Sequence, residues 1–163
     1  EAGTVRINKE PVSIAMIVKE AVDTLRPQAE SKEIKLSDEL TPVVYRVTAD
    51  RDLMHQAVLN LVSNAIKYTQ ASGSVHVRMT PHEENQRIHI EVIDTGAGIP
   101  LEVQPRIFEK FFRVEENKKL AKGTGLGLNL VKQIVETVHG GQVTLTCEVG
   151  RGSTFEIVLP LTT

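Results

Sequence analysis

Tryptophan is absent from the sequence, and cysteine occurs once, at Cys147. A single thiol excludes an internal disulfide, so no covalent cross-link supports the fold. Its strand-like neighbourhood marks Cys147 as a small buried hydrophobe, and a reducing, cytoplasmic setting is consistent with it. Aromatic residues supply only 4% of the 163 positions, so the core must be aliphatic. An excess of one charge sign is also missing. Nineteen Lys and Arg stand against 21 Asp and Glu, a formal net charge of −2, which removes the electrostatic case for a nucleic-acid binder. No apolar run approaches the roughly 20 residues of a membrane span, and the first residues do not read as a signal peptide. Repeats and low-complexity segments are lacking too. What is present, 40% hydrophobic and 25% charged residues, is the balance of one globular domain around one core.

The chain is organised around a predicted helix over 50–69. Leu53, Met54, Ala57, Val58, Leu61, Val62, Ala65 and Ile66 recur at three- and four-residue spacing, the buried stripe of an amphipathic helix. Beside them Gln56, Asn60, Asn64 and Lys67 form a polar stripe, also one turn apart. Asparagine is a mediocre helix former. Taken alone, the stripe suits a solvated face as well as a binding site.

An extended stretch leads to Pro11, and Ser13 caps a helix to about residue 29 with Ile14, Ile17, Val18, Ala21, Val22 and Leu25 inward. Strands are expected at 34–38 and 43–48. The segments 74–80 and 87–94 alternate cleanly and form an antiparallel hairpin across the polar connection 81–86. His76 and His89 fall opposite the apolar face, as surface residues. A short helix over 101–112 ends in aromatics, and 113–122 is charged and nearly free of apolar residues. A helix over 126–139 stops at Gly140-Gly141, and two last strands turn at Gly150-Arg151-Gly152. Three principal helices and about six strands, not interleaved one for one, predict an α+β two-layer sandwich: a mixed, mostly antiparallel sheet covered on one face by three helices.

Three places carry chemistry. At Asp94-Thr95-Gly96-Ala97-Gly98 an apolar strand ends in a carboxylate followed by two glycines. An ionised carboxylate only accepts hydrogen bonds, and at a pocket floor it selects an amino group such as that of adenine. The glycines permit a sharp turn and close approach to a flat ligand. Alone, the motif favours a β-turn with a solvated Asp. At Gly123-Thr124-Gly125-Leu126-Gly127-Leu128, alternate glycines open a helix, whose free N–H groups suit phosphates; it is not a Walker loop. Lys118, Lys119 and Lys122 add positive charge before it. Asn60, Asn64 and Lys67 supply amide oxygens and a cation, and amide oxygens suit Mg²⁺. Together the three imply Mg-ATP.

These residues resemble the catalytic ATP-binding domain of a bacterial two-component sensor histidine kinase, of the gyrase/chaperone/kinase/mismatch-repair ATPase superfamily with its Bergerat fold. The N box is matched by Asn60-Leu61-Val62-Ser63-Asn64-Ala65-Ile66-Lys67-Tyr68-Thr69, the first glycine box by 94–99, the F box by Phe108-Glu109-Lys110-Phe111-Phe112-Arg113 and the second glycine box by 123–128. The final glycine motif is matched by 150–155. Five boxes in order, at family-like spacing, span nearly the whole chain.

The resemblance implies roles. Asn60 holds Mg²⁺, Asn64 contacts phosphate and metal, and Lys67 contacts phosphate. Tyr68 packs on the adenine side, and Asp94 reads the adenine amino group. Gly96, Gly98, Ile99, Phe108, Lys122, Gly123, Thr124, Gly125, Leu126, Gly127, Leu128 and Thr154 complete the ATP site. Residues 113–122 form an ATP lid, hinged on the F box. Arg113 either reaches the γ-phosphate or faces the domain bearing the acceptor histidine, and it joins Asn60 and Lys67 as a candidate catalytic residue.

Histidine kinases transfer the γ-phosphoryl group to a histidine on a separate dimerisation hairpin. None of His55, His76, His82, His89 and His139 has that context. The chain opens without methionine at Glu1-Ala2-Gly3, as a fragment would, so 1–12 are expected to be the end of a dimerisation-domain linker and 13–163 the catalytic domain. Expected partners are its own dimerisation domain and a response regulator, with no nucleic acid. The fragment is expected to be a monomer of a homodimeric, cytoplasmic parent that in many relatives is membrane-anchored. In hydrolysing relatives a glutamate activates water where this chain has Asn60, and an amide is no general base. The alternatives are an ATPase of the same superfamily and a non-catalytic nucleotide-binding module.

Overall fold

The computed structural model describes residues 6–99, 101–109, 126–148 and 150–162. Ser13 closes a short strand, β1 (Glu10–Ser13), and its Oγ accepts the Met16 amide at 3.4 Å to start α1 (Ile14–Ser31). Strand β2 (Lys35–Glu39) follows, then β3 (Arg46–Ala49), and Asp50 caps α2 (Arg51–Tyr68). The hairpin strands are β4 (Ser74–His82) and β5 (Arg87–Asp94). After a 3₁₀ segment (Leu101–Arg106) come α3 (Leu126–Lys132), its π-helical continuation (Gln133–Val138), β6 (Gln142–Glu148) and β7 (Gly152–Pro160).

Five strands form one mixed sheet in the order β2-β4-β5-β7-β6, and β1 and β3 form a separate antiparallel ribbon. Only β2 and β4 are parallel neighbours. Alternation puts Val75, Val77, Met79, Ile88, Ile90, Val92, Phe155, Ile157 and Leu159 on one face, where they are buried against the helices. All six inward residues expected on α1 are buried, as is the stripe of α2 except Leu53, which is half-buried. This is the expected α+β sandwich, with an aliphatic core.

The other sheet face is polar. His76 and His89, expected at the surface, are half-buried there: His76 Nδ1 meets Ser37 Oγ at 2.8 Å and His89 Nδ1 meets Glu156 at 2.9 Å. Cys147 is likewise half-buried rather than buried.

Four local expectations are revised. The extended stretch before Ser13 becomes a strand only from Glu10, where β3 pairs with it. The strand expected at 43–48 begins only at Arg46: the Val43 amide bonds Thr41 Oγ1 at 3.2 Å, and Val43 and Val44 stay exposed. The described part of 101–112 is a 3₁₀ turn containing Pro105, which has no N–H to extend a helix. The 126–139 helix changes to π hydrogen bonding after Lys132, and His139 Nδ1 donates to the carbonyl of Ile134 five residues back. Among the described residues no helix is long and apolar enough to cross a membrane.

Candidate nucleotide site

Helix α2 is fixed at both ends by other parts of the chain. At its start Asp50 is buried, with Oδ1 accepting the Leu53 amide at 3.0 Å and Oδ2 the Asn8 amide at 2.9 Å. The Asp50 amide donates to His139 Nε2 at 3.0 Å, which fixes His139 as the neutral Nδ1–H tautomer and ties α2 to the helix that starts at Leu126. At its end Lys32 Nζ donates to the carbonyls of Ile66 and Lys67 at 2.9 and 2.6 Å. A cation there satisfies orphan carbonyls and complements the helix dipole, and burial lowers the Lys32 pKa.

The two amides to Asp50, from Asn8 first and Leu53 second, hold its carboxyl below the ordinary range. The stabilisation is therefore present above the unfolded value of about 3.9 and is lost as pH falls through the lower folded value. Asp50→Ala is expected to cost about 1–2 kcal/mol at pH 7, the worth of an N-cap. Urea melts from pH 7 to 3 should find parent and variant converging at the acid end; a constant gap would refute the assignment.

Asp94 ends β5, 8% exposed, on the helix side of the sheet. Its Oδ1 accepts the amides of Gly96 at 2.8 Å and Ser153 at 3.2 Å. Burial raises its pKa and outweighs those two bonds, which lower it. The loop is tightly packed. A Cβ on Gly96 would lie 2.8 Å from the Tyr68 carbonyl and 3.0 Å from Asp94 Oδ1, and Gly98 has a φ of 78°. The end of α2 thus abuts the Asp94 loop. Ile99 is buried, and its carbonyl accepts Gln104 Nε2 at 2.9 Å.

The third wall begins at α3. A Cβ on Gly127 would come within 3.3 Å of Asn64 Nδ2, so the first turn of this helix faces Asn64 of α2. Asn129 Nδ2 donates to the Phe108 carbonyl at 3.0 Å, and the Phe108 ring stands edge-on to Phe155 at 6.0 Å. The F-box phenylalanine is anchored to the core from both sides.

Asn60, Asn64 and Lys67 are half-buried on α2, and among the described residues their side chains have no hydrogen-bond or ion-pair partner. Asn64 is brought to Gly127, and Tyr68 to Gly96 through its carbonyl; Gly98 and Ile99 continue the Asp94 loop, and Leu128 is half-buried against the core. Thr154 is not brought to the site. It pairs with Ile93, and alternation turns it to the polar sheet face, leaving its neighbour Ser153 buried against Asp94. The final glycine motif supplies Ser153, and the one-residue offset reverses the face. Arg113, Lys122, Gly123, Thr124 and Gly125 lie outside the described residues, as does the side chain of Leu126. The motifs assign no individual role to Lys32, His139, Thr69 or Ser153. The first two act through partners 34 or more residues away, for which periodicity offers no signal.

A mixed sheet with helices on one face, a buried carboxylate at a glycine loop and the Asn64 amide facing Gly127 in the first turn of α3 define a nucleotide-binding sandwich. The chain belongs to the histidine kinase-, DNA gyrase B- and HSP90-like ATPase family, whose model matches residues 49–163. It is 36% identical over 156 residues to the adaptive-response sensory kinase SasA of Crocosphaera subtropica, covering 96% of this chain and 40% of that protein. Among solved structures, a full-length ShkA in complex with AMPPNP aligns over 99% of this chain and 33% of its own, at 29% identity and a TM-score of 0.84. The mycobacterial sensor histidine kinase MprB aligns over 94% of this chain and 98% of its own, at 29% identity and a TM-score of 0.82. The chain thus spans less than half of the curated relative it matches.

Proposed function

We propose that this chain is the catalytic, ATP-binding part of a protein-histidine kinase. It binds Mg-ATP and donates the γ-phosphoryl group to a histidine on a separate dimerisation domain, which passes it to a response regulator. The observation that carries the reading is the polar face of α2: Asn64 faces Gly127 in the first turn of α3, while the end of the same helix abuts the Asp94 loop. One helix thereby spans the phosphate and base ends of a single nucleotide.

The donor set fits Mg²⁺. Asn60 and Asn64 offer uncommitted amide oxygens one turn apart, and Mg²⁺ takes few protein ligands, retaining waters and phosphate oxygens. Among the described residues no group of three or more His, Cys, Asp or Glu is arranged to hold a metal by itself, which suits an ion that arrives with the triphosphate. When bound, the metal neutralises charge between the phosphates. Lys67 adds a positive charge on the same face, and Asn60 positions without activating water. Arg113 contributes to the γ-phosphate or to the acceptor interface. Residues 13–163 form the catalytic domain and 1–12 lead to the dimerisation domain. The assembled kinase is a cytoplasmic homodimer or one anchored in the membrane.

The test is to incubate the chain with γ-labelled ATP, Mg²⁺ and candidate dimerisation hairpins. Label is expected on a hairpin histidine, and Asn60→Ala should remove both the transfer and the Mg²⁺-dependent part of ATP binding. Steady phosphate release without a hairpin, abolished by the same substitution, would make the chain a free-standing ATPase instead. No nucleotide binding in a titration would make it a non-catalytic module.

A further inference from the structure

Thr69, the residue after α2, is fully buried, and its hydroxyl has no hydrogen-bond partner among the described residues. A buried hydroxyl without a partner costs roughly 1–3 kcal/mol, and valine would fill the same space without that cost. The side chain is wedged between two glycines. A Cβ on Gly73 would meet the Thr69 methyl at 2.5 Å, and one on Gly96 would lie 3.5 Å from Thr69 Oγ1 and 3.0 Å from Asp94 Oδ1. The methyl therefore faces the turn before β4, and the hydroxyl faces the carboxylate loop.

We propose that Thr69 is a positioning residue for Asp94: its hydroxyl is the spare donor that completes the hydrogen bonding of Oδ1 when a base enters, leaving Oδ2 to accept the exocyclic amino group. This rests on the reading of Asp94 as the group that recognises adenine. Oδ1 already takes two backbone amides. A third donor on the same oxygen stops the carboxylate from rotating and swapping its two oxygens. Gly96 has no side chain to donate, and the bonds that Gly96 and Ser153 make to Asp94 come from their backbone amides. The function lost with the hydroxyl is discrimination by the amino group, not triphosphate binding.

Thr69→Val and Thr69→Ser in this chain separate the two halves of the side chain. Titrations with Mg-ATP and with the triphosphate of purine riboside, which lacks the amino group, are compared with urea melts. Thr69→Val should bind ATP about tenfold more weakly, equivalent to about 1.4 kcal/mol, bind the amino-free analogue like the parent, and be no less stable. Thr69→Ser should retain the preference for ATP while losing stability through the missing methyl. If Thr69→Val keeps the parent's ATP preference within twofold, the hydroxyl is only packing and the proposal is overturned. If Thr69→Val does not fold, loss of the ATP preference in Thr69→Ser overturns it as well. Asp94→Asn run in parallel separates the two readings: if it too binds ATP normally, the adenine assignment itself has failed.

Discussion

Asp94→Asn is expected to weaken Mg-ATP binding about a hundredfold without destabilising the fold. The amide oxygen can take over the amides of Gly96 and Ser153, so the loop keeps its internal bonds. What changes is the outward atom: an acceptor becomes an NH₂ donor and meets the donor amino group of adenine. A hydrogen bond to a charged group is worth about 1.5–3 kcal/mol, and leaving two donors opposed adds to that loss. The stability arm follows from burial, which raises the Asp94 pKa. Above that raised value the folded chain must hold an ionised carboxylate away from water, and this costs stability; as pH falls through it the group protonates and the cost disappears. The variant should therefore match or exceed the parent in urea melts at pH 7, with the gap closing in acid. Calorimetric titration checks the first arm. ATP affinity within twofold of the parent would remove Asp94 from the site. A binding loss with a gain in stability is the behaviour of a charge kept for function at a structural cost.

Much of this was legible from residues alone because it depends on short-range rules. Ser13 caps the helix that follows it, and the stripes on α1 and α2 are buried as their spacing requires, Leu53 half-buried. The β4–β5 hairpin and the β6–β7 pairing follow from alternation around turn residues. Where expectation and structure part, the cause is long-range. The strand expected at 43–48 reads as β by composition, yet its partner is β1 rather than the central sheet, and that partner reaches only as far as Arg46. Thr154 and Ser153 are chemically alike, so no composition argument chooses between them; the register of β7 on β5 does, because it points Ser153 at the helices. Lys32 capping α2 and His139 clasping Asp50 join segments that only the tertiary fold brings together. The glycine boxes were visible as motifs, but what each glycine makes room for was not.

Gly152 shows what such room is for. Its φ is 113°, a region that L side chains seldom enter, and a Cβ there would sit 2.0 Å from the carbonyl oxygen of Asp94. The obstacle is backbone of the adjacent strand, so no rotamer change relieves it. Gly152→Ala should cost about 3 kcal/mol or more, combining the backbone strain of a non-glycine residue in this region, about 1–3 kcal/mol, with the displacement of β7 from β5. Gly150→Ala, two residues earlier, is the control. Its φ of 88° is also positive, but nothing lies within 4 Å of the added carbon, so only the conformational cost of about 1 kcal/mol applies. Urea midpoints should therefore separate the two alanines by roughly 2 kcal/mol. The binding readout should separate them further. Moving Gly152 also moves the Ser153 amide that holds Asp94 Oδ1, so Gly152→Ala should lose ATP even where it is folded, while Gly150→Ala keeps it. Equal stabilities for the two variants would mean that β7 does not press on Asp94 as described. Normal ATP affinity in a folded Gly152→Ala would mean that the Ser153 amide is dispensable for orienting the carboxylate.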